Sequence, residues 1–200
     1  MIAFTVHEFA HAFVADSFGD TTPRQHGRLT LNPAAHLDLM GSLMLLFAGF
    51  GWAKPVPVNP HALQRRSRSA MMWVSFAGPA SNLLLAFLAA IPLRFGLIPF
   101  IAKWPAMFPS PSKFLFDFLT INILLALFNL IPISPLDGEK ILSYFLPSSW
   151  ARTLEQIQPY GPMILMILIF AGPLVGIDIL SWILYPAMSA LTSLLLGVPL

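Results

Sequence analysis

The stretch Ala70–Leu93, AMMWVSFAGPASNLLLAFLAAIPL, lies between Arg68 and Arg94 and contains no charged residue. A run of this length and character matches the roughly 20 apolar residues needed to cross a bilayer as a helix. The remainder of the chain agrees. Of 200 residues, 56% are hydrophobic and only 10% charged, and the mean hydropathy is +0.74. No soluble domain of this size could bury that much apolar surface and keep a polar coat. The same numbers exclude a disordered chain and a charge-driven nucleic-acid binder. With no cysteine, disulfide scaffolds, thiolate metal sites and a cysteine nucleophile are excluded as well.

Working outward, residues 114–133 (FLFDFLTINILLALFNLIPI) form a second span despite Asp117. Residues 159–200 carry one charge, Asp178, and hold either one long span or two short ones broken near Gly172-Pro173 or Gly176. The opening segment, about 1–18, reads as a helix too short to cross alone. Residues 41–53 (GSLMLLFAGFGWA) are apolar but short and glycine-rich, as in a re-entrant or interfacial segment. Arg28–Leu31 alternates in polarity and Lys54–Asn59 is stretched by its prolines, so both predict short strands or extended chain at the membrane surface. The expectation is an all-α polytopic membrane protein. It has core helices at about 1–18, 70–93 and 114–133, and a C-terminal membrane segment at about 159–197.

Lysine and arginine set the orientation. The connections 16–69 and 134–158 together carry eight, against three in 94–113. The first two connections are therefore expected on the cytoplasmic side.

Chemistry enters at His7-Glu8-Phe9-Ala10-His11, an HExxH. On a helix, positions i and i+4 lie on one face about 6 Å apart, so both imidazoles can reach one ion. Glu8, offset by one position, falls beside the open coordination site. The plain alternative is a self-satisfied polar cluster, but three polar side chains in five residues at membrane depth need partners or a task.

Catalytic zinc sites take three protein ligands and leave a position for water. Without cysteine, the third must be His, Asp or Glu. Asp137 is favoured: it follows Pro132 and Pro135, which end the second span and let an acidic side chain turn back into the protein. The HExxH helix and the 114–133 helix also exit on the same side. Asp117 reads as a helix-start carboxylate, and Asp178 as a break or an aqueous face. Glu139 and Glu155 read as solvated. His26, His36 and His61 read as loop residues, with His36 in the most structured loop. Asn82 and Asn129 each stand in an apolar helix, where a buried amide must be hydrogen-bonded. Helix–helix contact and a substrate or oxyanion clamp are equally open for each.

HEFAH at 7–11, FAGPASN at 76–82 and NLIPISPLDG at 129–138 together resemble the site-2 protease family of intramembrane metalloproteases. The connecting GRLTLNPAAHLD (27–38) and GWAKPVPVNP (51–60) resemble its small prokaryotic branch. The resemblance implies a single membrane-embedded metalloprotease domain over 1–200, one Zn2+ held by His7, His11 and Asp137, and Glu8 as general base. It also implies a cytoplasm-facing metal in a prokaryotic cell membrane, and a membrane-protein or peptide substrate met within the lipid bilayer, with no nucleic-acid partner. The first His comes only six residues after Met1, whereas family members carry a fuller apolar helix there, as expected of a chain shortened at its start. The competing reading is a non-enzymatic adaptor or metal carrier. The intact Glu8 argues against the adaptor, and the lack of a polar path across the bilayer against the carrier.

Overall fold

The computed structural model describes residues 1–48, 51–98, 109–174, 176 and 178–197. The elements are α1 (Ile2–Ser17), two single turns α2 (Thr22–Gln25) and α3 (Pro33–His36), then α4 (Leu39–Ala48) and α5 (Pro60–Arg66). The long helices α6 (Ala70–Arg94) and α7 (Pro111–Asn129) follow, and then α8 (Asp137–Phe145). Next, α9 (Ser148–Ile157) and α10 (Gly161–Met166) run through a wider turn into α11 (Gly172–Leu174), and α12 is Ile179–Leu196. Among the described residues, four helical stretches are long and apolar enough to cross a membrane: Ala70–Arg94, Pro111–Asn129, Ser148–Ala171 and Ile179–Leu196. The protein is an all-α polytopic membrane protein.

Helix α6 is the centre of the assembly, touching α1, α7, α8 and α12. Small residues let its neighbours approach closely. Ala86, Ala89 and Ala90 pack on Leu119 and Ile123 of α7. Ala70 and Val74 pack with Ala15 of α1 and Leu63 of α5. Along the α1–α6 seam both helices advance one turn at a time in opposite directions. Ala3 meets Asn82, His7 and His11 flank Gly78, and His11 meets Val74. This is ridge-into-groove packing along i, i+4 rows. Outward faces carry large apolar side chains, including Trp73, Phe87, Phe114, Ile121 and Trp182, as lipid contact requires.

The short surface strands expected at Arg28–Leu31 and Lys54–Asn59 are not formed among the described residues. Arg28–Leu31 bends instead, and the two regions meet at one isolated antiparallel bridge, Leu37 to Ala53. Lys54 N–H adds a bond to the His36 carbonyl (2.8 Å). The ladder stops there because Pro55 and Pro57 have no N–H to extend it. Side chains replace it: buried Arg28 donates to the Ala35 carbonyl, and His36 Nε2 donates to the Thr30 carbonyl (2.7 Å). Of the apolar 41–53 segment, residues up to Ala48 belong to α4, while Phe50 and Gly49 lie outside the described residues.

The C-terminal region contains two candidate spans. The first starts at Ser148, because the amphipathic α9 continues through Pro159 and Pro162, both at helix-start positions that tolerate proline. The break before α12 uses Gly176 at φ +78° and Asp178, whose carboxylate accepts from Ser181 N–H (3.0 Å) as an N-cap.

Helix α7 ends at Asn129, just ahead of Pro132, and the chain folds back so that α8 starts at Asp137. Gly138 makes that return possible: a Cβ there would stand 2.2 Å from the Leu130 carbonyl oxygen. The obstacle is backbone and cannot swing away. Gly138→Ala should therefore displace the α8 start and cost on the order of 1–3 kcal/mol. Thermal melting of the detergent-solubilised variant checks this, and an unchanged melting temperature would count against the tight return.

Candidate metal centre

Helix α1 carries His7 and His11 on its α6-facing side, where both rings are buried. They lie edge to face with centroids 4.6 Å apart. Each ring is held by its Nδ1: His7 Nδ1 faces Asn82 Oδ1 at 2.6 Å, and His11 Nδ1 donates to the Val74 carbonyl at 2.7 Å. Such outer bonds select the tautomer and leave the Nε2 lone pairs free. The two Nε2 atoms lie 3.0 Å apart. Asp137, the first residue of α8, brings Oδ2 to 3.2 Å from each.

With hydrogens on both Nδ1 atoms, His7 Nε2, His11 Nε2 and Asp137 Oδ2 are three acceptors facing one another. In these neutral tautomers no proton lies between them, and Asp137 Oδ2 is a buried oxygen without a hydrogen-bond partner. Three converging lone pairs repel unless a cation joins them. Tetrahedral ligands bonded at 2.0–2.1 Å stand about 3.3 Å apart, close to the observed 3.0–3.2 Å. The residues therefore fit a metal ion, and two imidazoles with one carboxylate suit zinc. Among the described residues these three form the one His and acidic group able to hold an ion.

Glu8 is half-buried beside them, and its Oε2 accepts from Val56 N–H at 3.1 Å. The extended Lys54–Asn59 segment is thus tied to the HExxH helix between its two prolines. Asp20, fully buried, anchors the far end by accepting from Asn59 N–H (2.6 Å).

The other polar candidates stand apart from this group. Asp117 pairs with Lys113 at 2.7 Å, and Asp178 caps α12. His26 and His61 are exposed, and His36 is spent on the 27–38 loop. Glu139, expected to be solvated, is 6% exposed at the start of α8. Burial pushes its carboxyl above the ordinary value, Lys140 opposes the shift and Glu155 adds to it. The reason is tertiary: α9 packs on α8, and Glu139 faces a small cavity it shares with Ser134, Leu154, Ile157 and Gly161. Asn129 is half-buried and donates to the Leu125 carbonyl (2.9 Å). Asn82 is fully buried, with its Nδ2 bonded to the Ala3 carbonyl (3.2 Å) and to Asn122 Oδ1 (2.9 Å). The sequence reading passes over Asn122, although the signal is the one that marks Asn82 and Asn129: an amide inside an apolar helix. The role of Gly78 beside the two rings shows only once two helices are packed.

A Cβ on Gly78 would lie 2.4 Å from His11 Nε2 and 2.6 Å from Cε1 of His7. Alanine favours helix over glycine, so Gly78→Ala should keep the helical content while wedging the rings apart. Zinc affinity should fall by about 10-fold or more, the size seen when the support of a ligand is lost. Chelator competition alongside circular dichroism checks this, and wild-type affinity would contradict the close approach.

Comparison with known proteins agrees with this chemistry. The family model described as Peptidase family M50 matches residues 96–172. A Bacillus subtilis (strain 168) protein named "Putative zinc metalloprotease YwhC" is 40% identical over 190 residues, covering 95% of this chain and 84% of that protein. A Mycolicibacterium smegmatis protein named "Putative zinc metalloprotease Rip2" is 34% identical over 183 residues, covering 87% of this chain and 66% of that protein. No solved structure matches. The zinc expected from HExxH is the cofactor of these relatives by name, and the apolar helices make the enzyme a membrane protein. The chain belongs to peptidase family M50, the site-2 protease family of zinc metalloproteases.

Proposed function

We propose that this protein hydrolyses a peptide bond in or beside a transmembrane segment of a membrane-protein substrate, with His7, His11 and Asp137 as zinc ligands and Glu8 as general base. The observation that carries the reading is depth. Gly78, which touches both imidazoles, lies eight residues into the 25-residue span Ala70–Arg94. At 1.5 Å per residue that is about 12 Å from the start of the span, well inside a hydrocarbon core of about 30 Å. The α6 start adjoins the lysine- and arginine-rich 16–69 connection, so the positive-inside rule turns the site toward the cytoplasm of a prokaryotic cell.

Zinc, when bound, polarises the scissile carbonyl and lowers the pKa of water toward 7. The protein's own groups do the rest. Asn82 and the Val74 carbonyl hold the imidazoles so that their Nε2 lone pairs converge. Glu8 takes a proton from the attacking water and delivers it to the leaving amine. Val56 N–H occupies one oxygen of that carboxylate, which steadies the side chain and leaves the other oxygen for the proton.

A helical substrate hides its carbonyls in intrahelical bonds, so it must unwind locally before attack. The extended Lys54–Asn59 segment lies beside Glu8. Its N–H groups at Lys54, Val56 and Asn59 are bonded and Pro55 and Pro57 have none, so it would meet such a strand through its carbonyls and Val58 N–H. Asn129, one turn ahead of the Pro132 break, is the remaining candidate for contact with substrate. The depth of the site and the intact acid–base residue favour this reading over an adaptor or a metal carrier.

Glu8→Gln should keep the zinc content of the wild type and lower cleavage of a model transmembrane substrate in proteoliposomes by about 10²- to 10⁴-fold. Wild-type cleavage by this variant would remove Glu8 from the role of base. Metal flux across the liposome wall without any cleavage would favour the carrier.

A further inference from the structure

We propose that Asn122 and Asn82 form a polarity-fixed amide relay that sets the tautomer of His7, making both of them positioning residues of the metal centre. The inference rests on the zinc-ligand reading above. A carboxamide can be turned end for end, exchanging its acceptor oxygen and its donor NH2 with little change of shape. Here two backbone carbonyls remove that freedom.

Phe118 O can only accept, so it takes the NH2 of Asn122 (2.8 Å). Asn122 Oδ1 must then point toward α6, where it can only accept, and it takes the NH2 of Asn82 (2.9 Å). Ala3 O makes the same demand of Asn82 independently (3.2 Å). Both hydrogens of that NH2 are thereby used, and Asn82 Oδ1 is left facing His7 Nδ1 (2.6 Å). An oxygen facing a ring nitrogen obliges that nitrogen to carry the hydrogen. The His7 proton sits on Nδ1, and Nε2 presents a bare lone pair to the centre. Turning Asn82 over would set its oxygen against two other oxygens and drive the His7 proton onto Nε2, between the ligands. Both amides are completely buried, so no bulk water can repair a reversed bond.

The asymmetry between the two histidines supports the idea. His11 is oriented by a backbone carbonyl of α6, which has only one polarity. His7 is oriented by a side chain, which has two. Its direction is therefore specified from Phe118 on α7 and Ala3 on α1, across all three helices that enclose the site. The contacts of Asn82 are consumed by this task, so it acts on the reaction through His7.

The test measures zinc affinity of the full-length chain in detergent by competition with a chromogenic chelator, with the visible spectrum of the Co2+-substituted protein as a second readout. Asn82→Leu should weaken zinc binding by about 10- to 100-fold. Asn122→Leu leaves an Asn82 N–H unpaired and should weaken it by about 10-fold. Asn122→Asp should stay close to wild type, because a buried acid remains neutral. Its hydroxyl can donate to Phe118 O while its carbonyl accepts from Asn82. A role in packing alone predicts the reverse order, with leucine tolerated in an apolar seam and aspartate not. Wild-type affinity in Asn122→Leu, or weaker binding in Asn122→Asp than in Asn122→Leu, overturns the relay. If one of these two variants does not fold, the other decides: near-wild-type affinity of the aspartate supports the relay, as does a 10-fold loss in the leucine, and the opposite result in either overturns it. A wild-type chain that binds no zinc would overturn the ligand reading itself.

Discussion

Three unshared electron pairs meet in a place from which water is largely excluded, and the rest of the molecule is arranged around that fact. Two imidazole nitrogens and a carboxylate oxygen lie within 3.2 Å of one another, and with neutral imidazoles their lone pairs repel. They need a cation between them, and they need every outer atom of their side chains to be tied down. For the two imidazoles the second requirement is met by one stripe of α6. Val74, Gly78 and Asn82, spaced one turn apart, supply a carbonyl for His11, a gap for both rings and an amide for His7. The third donor comes from a distant part of the chain, returned to the same point by a glycine-dependent fold-back at Gly138.

This arrangement explains why the long helix is built of small residues on one side and large ones on the other. Alanines and Gly78 let α1 and α7 approach until polar groups on three helices come within hydrogen-bond reach. Phe76, Leu84, Phe87 and Leu88 of the same helix are exposed and meet lipid. A polar group at this depth cannot be rescued by solvent, and the two imidazole Nδ1 atoms and the two amides are each committed to a named partner.

Much of this was legible in the residues themselves. The i, i+4 spacing of His7 and His11 needs only helix geometry, and the prolines at 132 and 135 announce a bend that can carry Asp137 inward. Spans at about 70–93 and 114–133, formed as Ala70–Arg94 and Pro111–Asn129, follow from length and hydropathy. Other features depend on which surfaces meet. Gly78 is one small residue among several until α1 is laid against it, and Asn122 matters only once Asn82 is beside it. Of the two segments expected as short strands or extended chain, Lys54–Asn59 is extended, as its prolines imply, while Arg28–Leu31 bends because alternation over four residues cannot hold a strand without a partner. The burial of Glu139 depends on α9 packing on α8, a contact between segments with no local signal.

X-ray absorption at the zinc edge of the purified protein reads the donor atoms at this centre. One zinc per chain is expected, with imidazole nitrogen at about 2.0–2.1 Å and carboxylate or water oxygen at about 2.0–2.2 Å, and outer-shell scattering from two imidazole rings. A zinc shell made of oxygen alone, or a chain that retains no zinc at all, would contradict it.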